Sequence, residues 1–375
     1  MIVIAGATGF TGSLISRELY KMGHPPVLAG RDQRKLANLA RDISSSGDGV
    51  PASSGELEGH SELSTVIFDA TDPDSISHAL SDASVIINCA GPFIDLGEPV
   101  LKEAASRGIH YIDTTGEQPF IRTAIEEYGP KAAKSKSSVI PACAFEYALG
   151  DAAAAFAAIS IEPCEGIELF YSIDGFGSSR GTKKSVLRVL GETGYQRHSG
   201  KAVKTGIGAH SRAVDIPGKG TVTAYSMPGG EVFMVPLHIA VDDLETYMVM
   251  PAPAAVVRLT PLMAPVLSWG PVARFLSNRV DSGQFGPSAE KRANTRFVIV
   301  CKATGAGGSR TVTVQGGDPY GLTALIAARI AALIDSGQAQ PVGATSPSMV
   351  AGFQTIIDLT SEAAVDWSVS EAKQK

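Results

Sequence analysis

Three glycines, Gly6, Gly9 and Gly12, stand at three-residue spacing in the run Gly6-Ala7-Thr8-Gly9-Phe10-Thr11-Gly12. Gly6 permits a tight turn. Gly9 lets the backbone approach an anion, and Gly12 lets a helix pack closely on the strand before it. The chemistry this implies is the holding of a diphosphate by the N–H groups and positive end of a helix. Arg31 lies nineteen residues past Gly12, where such a unit reads the adenosine ribose. An acid there takes the 2′-hydroxyl, whereas an arginine pairs with a 2′-phosphate. Arg31, with Arg34 and Lys35 one turn on, favours NADP(H), and Asp32 is left to cap the next helix. Residues Gly6, Ala7, Thr8, Gly9, Phe10, Thr11, Gly12, Arg31, Asp69, Ala90, Gly91 and Pro92 are therefore expected to hold the cofactor.

Hydride transfer also needs a positioned substrate and often a proton donor. Asp95, His110, Tyr111, Asp113, Glu117 and Glu146 are the titratable residues near expected strand ends. Tyr111 and Asp113 share one face of an alternating strand and His110 takes the other. Tyr111 is the expected proton donor and Asp113 its catalytic partner. A tyrosine packed under a helix, with Asp113 and Glu117 fixing a turn, is the other reading. Phe93, Arg180 and Glu146 are expected to bind substrate. The run Ser178 to Ser185, with Arg180, Lys183 and Lys184 before a helix, suits a carboxylate or phosphate, or else is a solvated cap. The sequence shows no catalytic dyad at fixed spacing and no metal cluster. Cys89, Cys143, Cys164 and Cys301 lack C-x-x-C spacing, so reduced thiols of a cytoplasmic protein are expected.

The elements that must position these residues alternate. Strands are expected at Ile2–Ala5, 26–30, 65–68, 84–88, 109–113 and 138–141, with helices between them. That pattern argues for an α/β fold, a Rossmann-like, doubly wound, mostly parallel sheet. From Gly166 the strands alternate as half-buried antiparallel ones do, at 166–173, 220–225, 245–250, 296–303 and 309–316. They predict a second, α+β antiparallel-sheet domain for substrate and dimerisation, at 151–317, after an NADP-binding domain at 1–150. Residues 320–334 are strongly helical, 348–359 make a shorter helix, and 363–375 read as a polar, frayed tail. The Ser- and Gly-rich run 44–64 reads as a surface loop.

Composition sets the outer limits. The 375 residues are 44% hydrophobic and 19% charged, a globular balance. A net charge of -6 offers no broad basic field, which argues against a nucleic-acid partner. No run of about 18 apolar residues predicts a spanning helix. With the first strand starting at Ile2, no leader is expected ahead of it. The apolar run 247–276 is broken by five prolines. It reads as core or homodimer interface, or as a greasy substrate mouth or peripheral membrane patch.

Three stretches together carry a family resemblance. They are Gly6 to Gly12 with Ala29-Gly30-Arg31, Asn88 to Phe93 continuing to Gly97-Glu98-Pro99-Val100, and His110 to Glu117. The sequence resembles the saccharopine dehydrogenase-like oxidoreductases, including their branch of trans-acting enoyl reductases. The resemblance implies NADP(H), an α+β antiparallel-sheet domain at 151–317 inserted in the nucleotide fold, and a late helix that docks back on the first domain, so that residues 1–150 with 318–375 form the NADP-binding domain. It implies an enzyme, an NADPH-dependent reductase of a C=C conjugated to a carbonyl in an apolar acyl or polyketide-like substrate. Alternatives are an imine or carbonyl reductase of saccharopine or opine type, and a non-catalytic NADP-binding or membrane-associated scaffold. The loop after the sixth strand, Ala144 to Asp151, departs from the phenylalanine-aspartate-serine pattern usual in that family. Few cations in the expected cleft argue against an amino-diacid substrate.

Overall fold

In the computed structural model the residues described are 1–45, 63–159, 161, 163–189, 194–250, 257, 279–280 and 285–372. Most of the loop expected at 44–64 lies outside them. So does the apolar run 247–276 from residue 251 on, Val257 excepted. The chain divides into two compact units. The first comprises Met1–Thr115, Ala124–Ala144 and Tyr320–Thr345, and the second Gly116–Thr123, Phe145–Pro319 and Ser346–Lys375.

The first unit is a seven-stranded sheet. Its strands are β1 (Ile2–Ala5), β2 (Val27–Gly30), β3 (Thr65–Ile67), β4 (Val85–Asn88), β5 (His110–Asp113), β6 (Ser138–Ile140) and, late in the chain, β15 (Gly343–Ala344). Their order is β15-β6-β5-β4-β1-β2-β3, and every pairing is parallel. Strands β1 and β4 are apolar without alternation and buried along their whole length, as strands of a parallel sheet covered on both faces must be. From β1 the chain winds outward to β2 and β3, then returns beside β1 to form β4, β5 and β6. That reversal makes the C-terminal ends of β1 and β4 the switch point where such sheets bind ligands. Ala5 at the end of β1 pairs with Asn88 at the end of β4. Residues 320–345 belong to this unit, and the ring of Tyr320 stands edge-on to Phe10, with centroids 4.9 Å apart.

The second unit is built on β7 (Cys164–Asp174), β8 (Gly194–His198), β9 (Lys201–Thr205), β10 (Ser211–Ile216), β11 (Gly220–Ser226), β12 (Val241–Met248), β13 (Arg296–Gly305), β14 (Gly308–Gly317) and β16 (Asp366–Ala372). The main order is β10-β11-β12-β7-β13-β14-β16, with β8 and β9 branching from β12. Its pairings are antiparallel except β7 with β12, which run parallel, so the inserted sheet is mixed. Phe170, Val214, Ile216, Ala224, Tyr247 and Val300 form a buried cluster on it, with Phe170 and Tyr247 stacked at 5.1 Å. The alanine-rich helix Phe145–Ala158 lies against β13 and β14.

One expectation is corrected here. Within the stretch 363–375, expected to be a partly frayed tail, Asp366–Ala372 forms β16 and pairs with β14, Val369 opposite Val312 and Trp367 opposite Val314. Alternation of Trp367 and Val369 with polar neighbours gives this short segment a face to bury. The pairing places the last thirty residues with the second unit.

Candidate functional site

In the first unit the turn after β1 is set by backbone. The N–H groups of Gly6 and Ala7 both donate to Ala29 O, and Gly9 N donates to Gly6 O at 2.8 Å. Gly6 has φ +74°, which glycine adopts without strain. A Cβ at Gly6 would lie 3.1 Å from backbone atoms of Cys89 and Ala90, so the end of β4 packs directly on it. A Cβ at Gly12 would lie 2.4 Å from Gly6 O. The helix Phe10–Lys21 follows, with Gly9 as its N-cap. No side chain caps it and no acid stands in its first turn. An uncapped helix start beside a turn that excludes side chains fits the diphosphate of a dinucleotide.

The ribose end follows β2. Arg31 is exposed. Asp32 turns inward along its own chain and accepts from the N–H groups of Arg34 and Lys35. Those bonds hold its carboxyl below the usual carboxylate range, with the Lys35 N–H as the leading cause. Asp32 is thus a helix cap, and Arg31 stands exposed beside it. Asp69, after β3, accepts from both the N–H and the hydroxyl of Thr71, which lower its pKa, with the nearby charge of Arg31 adding to them.

The ends of β4 and β5 form a buried polar lattice. Asn88 Oδ1 accepts from Ala90 N at 3.0 Å and its amide donates to Tyr111 Oη at 3.1 Å. Asp113 Oδ1 accepts from Thr115 N and Ala142 N, and Cys143 N donates to its carbonyl. Tyr111 and Asp113 are both fully buried. Burial, then the charge of Asp113, pushes the phenol of Tyr111 well above its ordinary value. The residues expected as a catalytic pair thus lie inside the sheet, where they tie the loops after β4, β5 and β6 together. Phe93 is buried too, its ring packed against Gly91 at the head of the helix Phe93–Arg107. Ala90, Gly91 and Pro92 lie on the β4 loop that touches Gly6.

The second unit holds a separate group of acids. Glu146 and Tyr147 open the helix Phe145–Ala158 and are partly exposed. Behind them Tyr171 on β7 donates to the carboxyl of Glu231 and lies 3.3 Å from the carbonyl of Glu146. Burial pushes Glu146 up to about 7 and Glu231 up to about 8. Burial and the charges of Glu146, Glu231 and Glu117 raise Tyr147 well above its ordinary value. Glu117 accepts from Ser185 at 2.5 Å, and Gln118 bonds both Gly229 O and the backbone of Tyr195. Arg180 starts the helix Arg180–Val189 with its guanidinium 5.1 Å from the ring centroid of Phe285. Ser179 accepts from Thr182 N as a cap does. Of the residues expected to bind substrate, Glu146 is joined by Glu231, Tyr171 and Tyr147, which spacing did not single out. The pair Gly229-Gly230 ahead of Glu231 was the one local signal.

The parallel sheet, its reversal at β1 and β4, and the glycine turn define a dinucleotide-binding protein of the Rossmann class. Residues 2–154 match the family described as saccharopine dehydrogenase NADP binding domain. A bovine saccharopine dehydrogenase-like oxidoreductase is 31% identical over 153 residues, 39% of this chain and 34% of that protein. A Mycobacterium tuberculosis protein carrying the name trans-acting enoyl reductase is 29% identical over 147 residues, 39% of this chain and 32% of that protein. Apo saccharopine dehydrogenase (L-Glu forming) from Saccharomyces cerevisiae superposes over 99% of each chain with a TM-score of 0.62 at 13% identity, a likeness of fold. Over residues 2–154 the chain is similar to the NADP-binding domain of the saccharopine dehydrogenase-like oxidoreductases, and its cofactor is NADP(H). The matched stretch spans about a third of the length of those curated relatives.

Proposed function

We propose that the protein is an NADPH-dependent reductase of a C=C conjugated to a carbonyl, acting on an apolar acyl or polyketide-like substrate. The glycine turn and Arg31 bind the cofactor, and Asp69, Ala90, Gly91 and Pro92 flank it. Tyr111 and Asp113 serve by holding the strand ends. The observation that carries the substrate class is the company kept by Glu146 and Tyr147. The charges that act on the Tyr147 phenol are those of Glu146, Glu231 and Glu117. Such a wall repels a dicarboxylate and accepts a neutral acyl group. The name of the mycobacterial relative points the same way.

The same acids would attract a protonated amine, which favours imine reduction of saccharopine or opine type as the second reading. NADPH oxidation followed against an enoyl thioester, an imine and a ketone separates these. Fastest turnover of the enoyl thioester is expected. Preference for the imine establishes the second reading, and tight NADPH binding without turnover of any leaves a non-catalytic scaffold. Among the described residues no helix is long and apolar enough to cross a membrane. The reading places the protein in the cytoplasm, and the apolar sequence of 247–276 suggests contact with a membrane surface or a second copy. Flotation with liposomes tests the former and sedimentation the latter.

A further inference from the structure

Ala142, two residues past β6, is fully buried and has φ +55°. That left-handed conformation costs an alanine free energy and a glycine none. Two consecutive N–H groups hold the turn there. Ala142 N donates to Asp113 Oδ1 at 2.8 Å, and Cys143 N donates to the Asp113 carbonyl at 2.7 Å. The same Oδ1 accepts from Thr115 N at 3.0 Å, so one oxygen fixes the exits of both β5 and β6. The Asp113 carboxyl also accepts from the phenol of Tyr111, and Tyr111 Oη accepts from the amide of Asn88 at 3.1 Å. Asn88 Oδ1 in turn accepts from Ala90 N, and a Cβ at Gly6 would lie 3.1 Å from that same nitrogen. The bonds therefore run along the C-terminal edge of the parallel sheet, from the glycine turn to Ala142, within the first unit. Asn88, Tyr111, Asp113 and Ala142 expose no surface, so they act through the loops they hold.

A dinucleotide lies across the strand reversal with one half on each side. Arg31, after β2, stands on the adenosine side in the reading above. The ends of β4, β5 and β6 are then left for the nicotinamide side. We propose that Asp113 is a positioning residue for the nicotinamide half of NADPH, holding Ala142 in its left-handed turn while Tyr111 and Asn88 couple that hold to the glycine turn. The proposal rests on the NADP(H) assignment and on Arg31 as the adenosine end, and not on which bond is reduced. The bonds keep the loops after β4, β5 and β6 at one spacing before the cofactor arrives. Binding then pays no cost for ordering them. Without Asp113 Oδ1, the strain at Ala142 is released by a move of the β6 exit, and the nicotinamide side loses its preformed shape.

Calorimetric titration with two ligands tests this. One is NADPH. The other is adenosine 2′,5′-bisphosphate, which carries the adenosine and its 2′-phosphate but no nicotinamide. Asp113→Ala should weaken NADPH by about 30-fold and the bisphosphate by less than about twofold. In Asp113→Ala/Ala142→Gly about tenfold of that loss should return, because glycine takes the left-handed turn without being held. A general loosening of the fold would weaken both ligands alike and gain nothing from glycine. Tyr111→Phe keeps the ring and removes one oxygen, so it decides the matter where Asp113→Ala does not fold. It should weaken NADPH about fivefold and leave the bisphosphate unchanged. Equal losses for the two ligands, NADPH affinity within about twofold of the parent, or no recovery with glycine each overturn the proposal. Failure of the parent to bind NADPH overturns the cofactor assignment instead. No substrate is needed, so the outcome stands apart from the reductase reading.

Discussion

The two units assemble their polar groups by opposite means. The cradle of the first unit is made of backbone. It depends on side chains that are absent at Gly6, Gly9 and Gly12, where the backbone after β2 and β4 packs on the turn. The acid group of the second unit is made of side chains brought from Glu117, Glu146, Tyr171 and Glu231, spread over more than a hundred residues. A backbone cradle tolerates change around it but not within it. A buried acid group depends on each partner, because every polar atom left unmatched there costs free energy that nothing nearby repays.

The sharpest way to expose this difference is Asp151→Ala. Asp151 is fully buried, with Oδ1 2.6 Å from His238 Nε2 and Oδ2 accepting from Ser348 N at 3.0 Å. Burial works to raise its pKa, but His238 and the serines hold it below the usual carboxylate range. With the folded value below the unfolded one, its stabilisation is present above the unfolded value and is lost as pH falls through the folded one. Removing it should cost about 3–5 kcal/mol, read by urea unfolding at neutral pH. A loss below about 1 kcal/mol would show that the second unit does not rely on matched side chains. Next in size is Gly12→Val. Its Cβ would meet Gly6 O at 2.4 Å, so the turn must shift by about 1 Å. NADPH affinity should fall by about 100-fold in calorimetric titration, with the urea midpoint of the second unit unmoved. Unchanged affinity would remove the cradle from the cofactor site.

The same contrast explains what was legible in the chain. Glycine spacing, the apolar runs at β1 and β4, and the offset to Arg31 are local patterns with one mechanical meaning each, and the first unit follows from them. Tyr111 and Asp113 were legible as polar residues at a strand end. Alternation places them on one face, but it does not say whether that face opens to solvent or lies under the loop that Asn88, Thr115 and Ala142 build. The buried acid at Glu231 was hidden, since its environment arises from β7, the helix Phe145–Ala158 and Gly229, which only tertiary pairing brings together. The parallel register of β7 with β12 was hidden for the same reason. So was β16, because seven residues of weak alternation gain a meaning only once β14 offers an edge.

The smallest expected effect tests the cradle's finest distinction, between Arg31 and its neighbour Asp32. In a cofactor site that reads the 2′-hydroxyl, an acid after β2 would accept from the ribose. Here the Asp32 carboxyl is committed to the N–H groups of Arg34 and Lys35, while Arg31 stands exposed. Arg31→Ala should therefore weaken NADPH by about tenfold and leave NADH nearly unchanged, since it deletes one charge-assisted contact to a phosphate that only NADPH carries. Asp32→Ala should leave the ratio of the two affinities as it was and lower Tm by only a few degrees through the lost cap. Equal losses for both nucleotides in Arg31→Ala would make Arg31 a general anchor. A selective loss of NADH in Asp32→Ala would mean that the cap opens to bind ribose, and the backbone cradle would then share the second unit's dependence on a side chain.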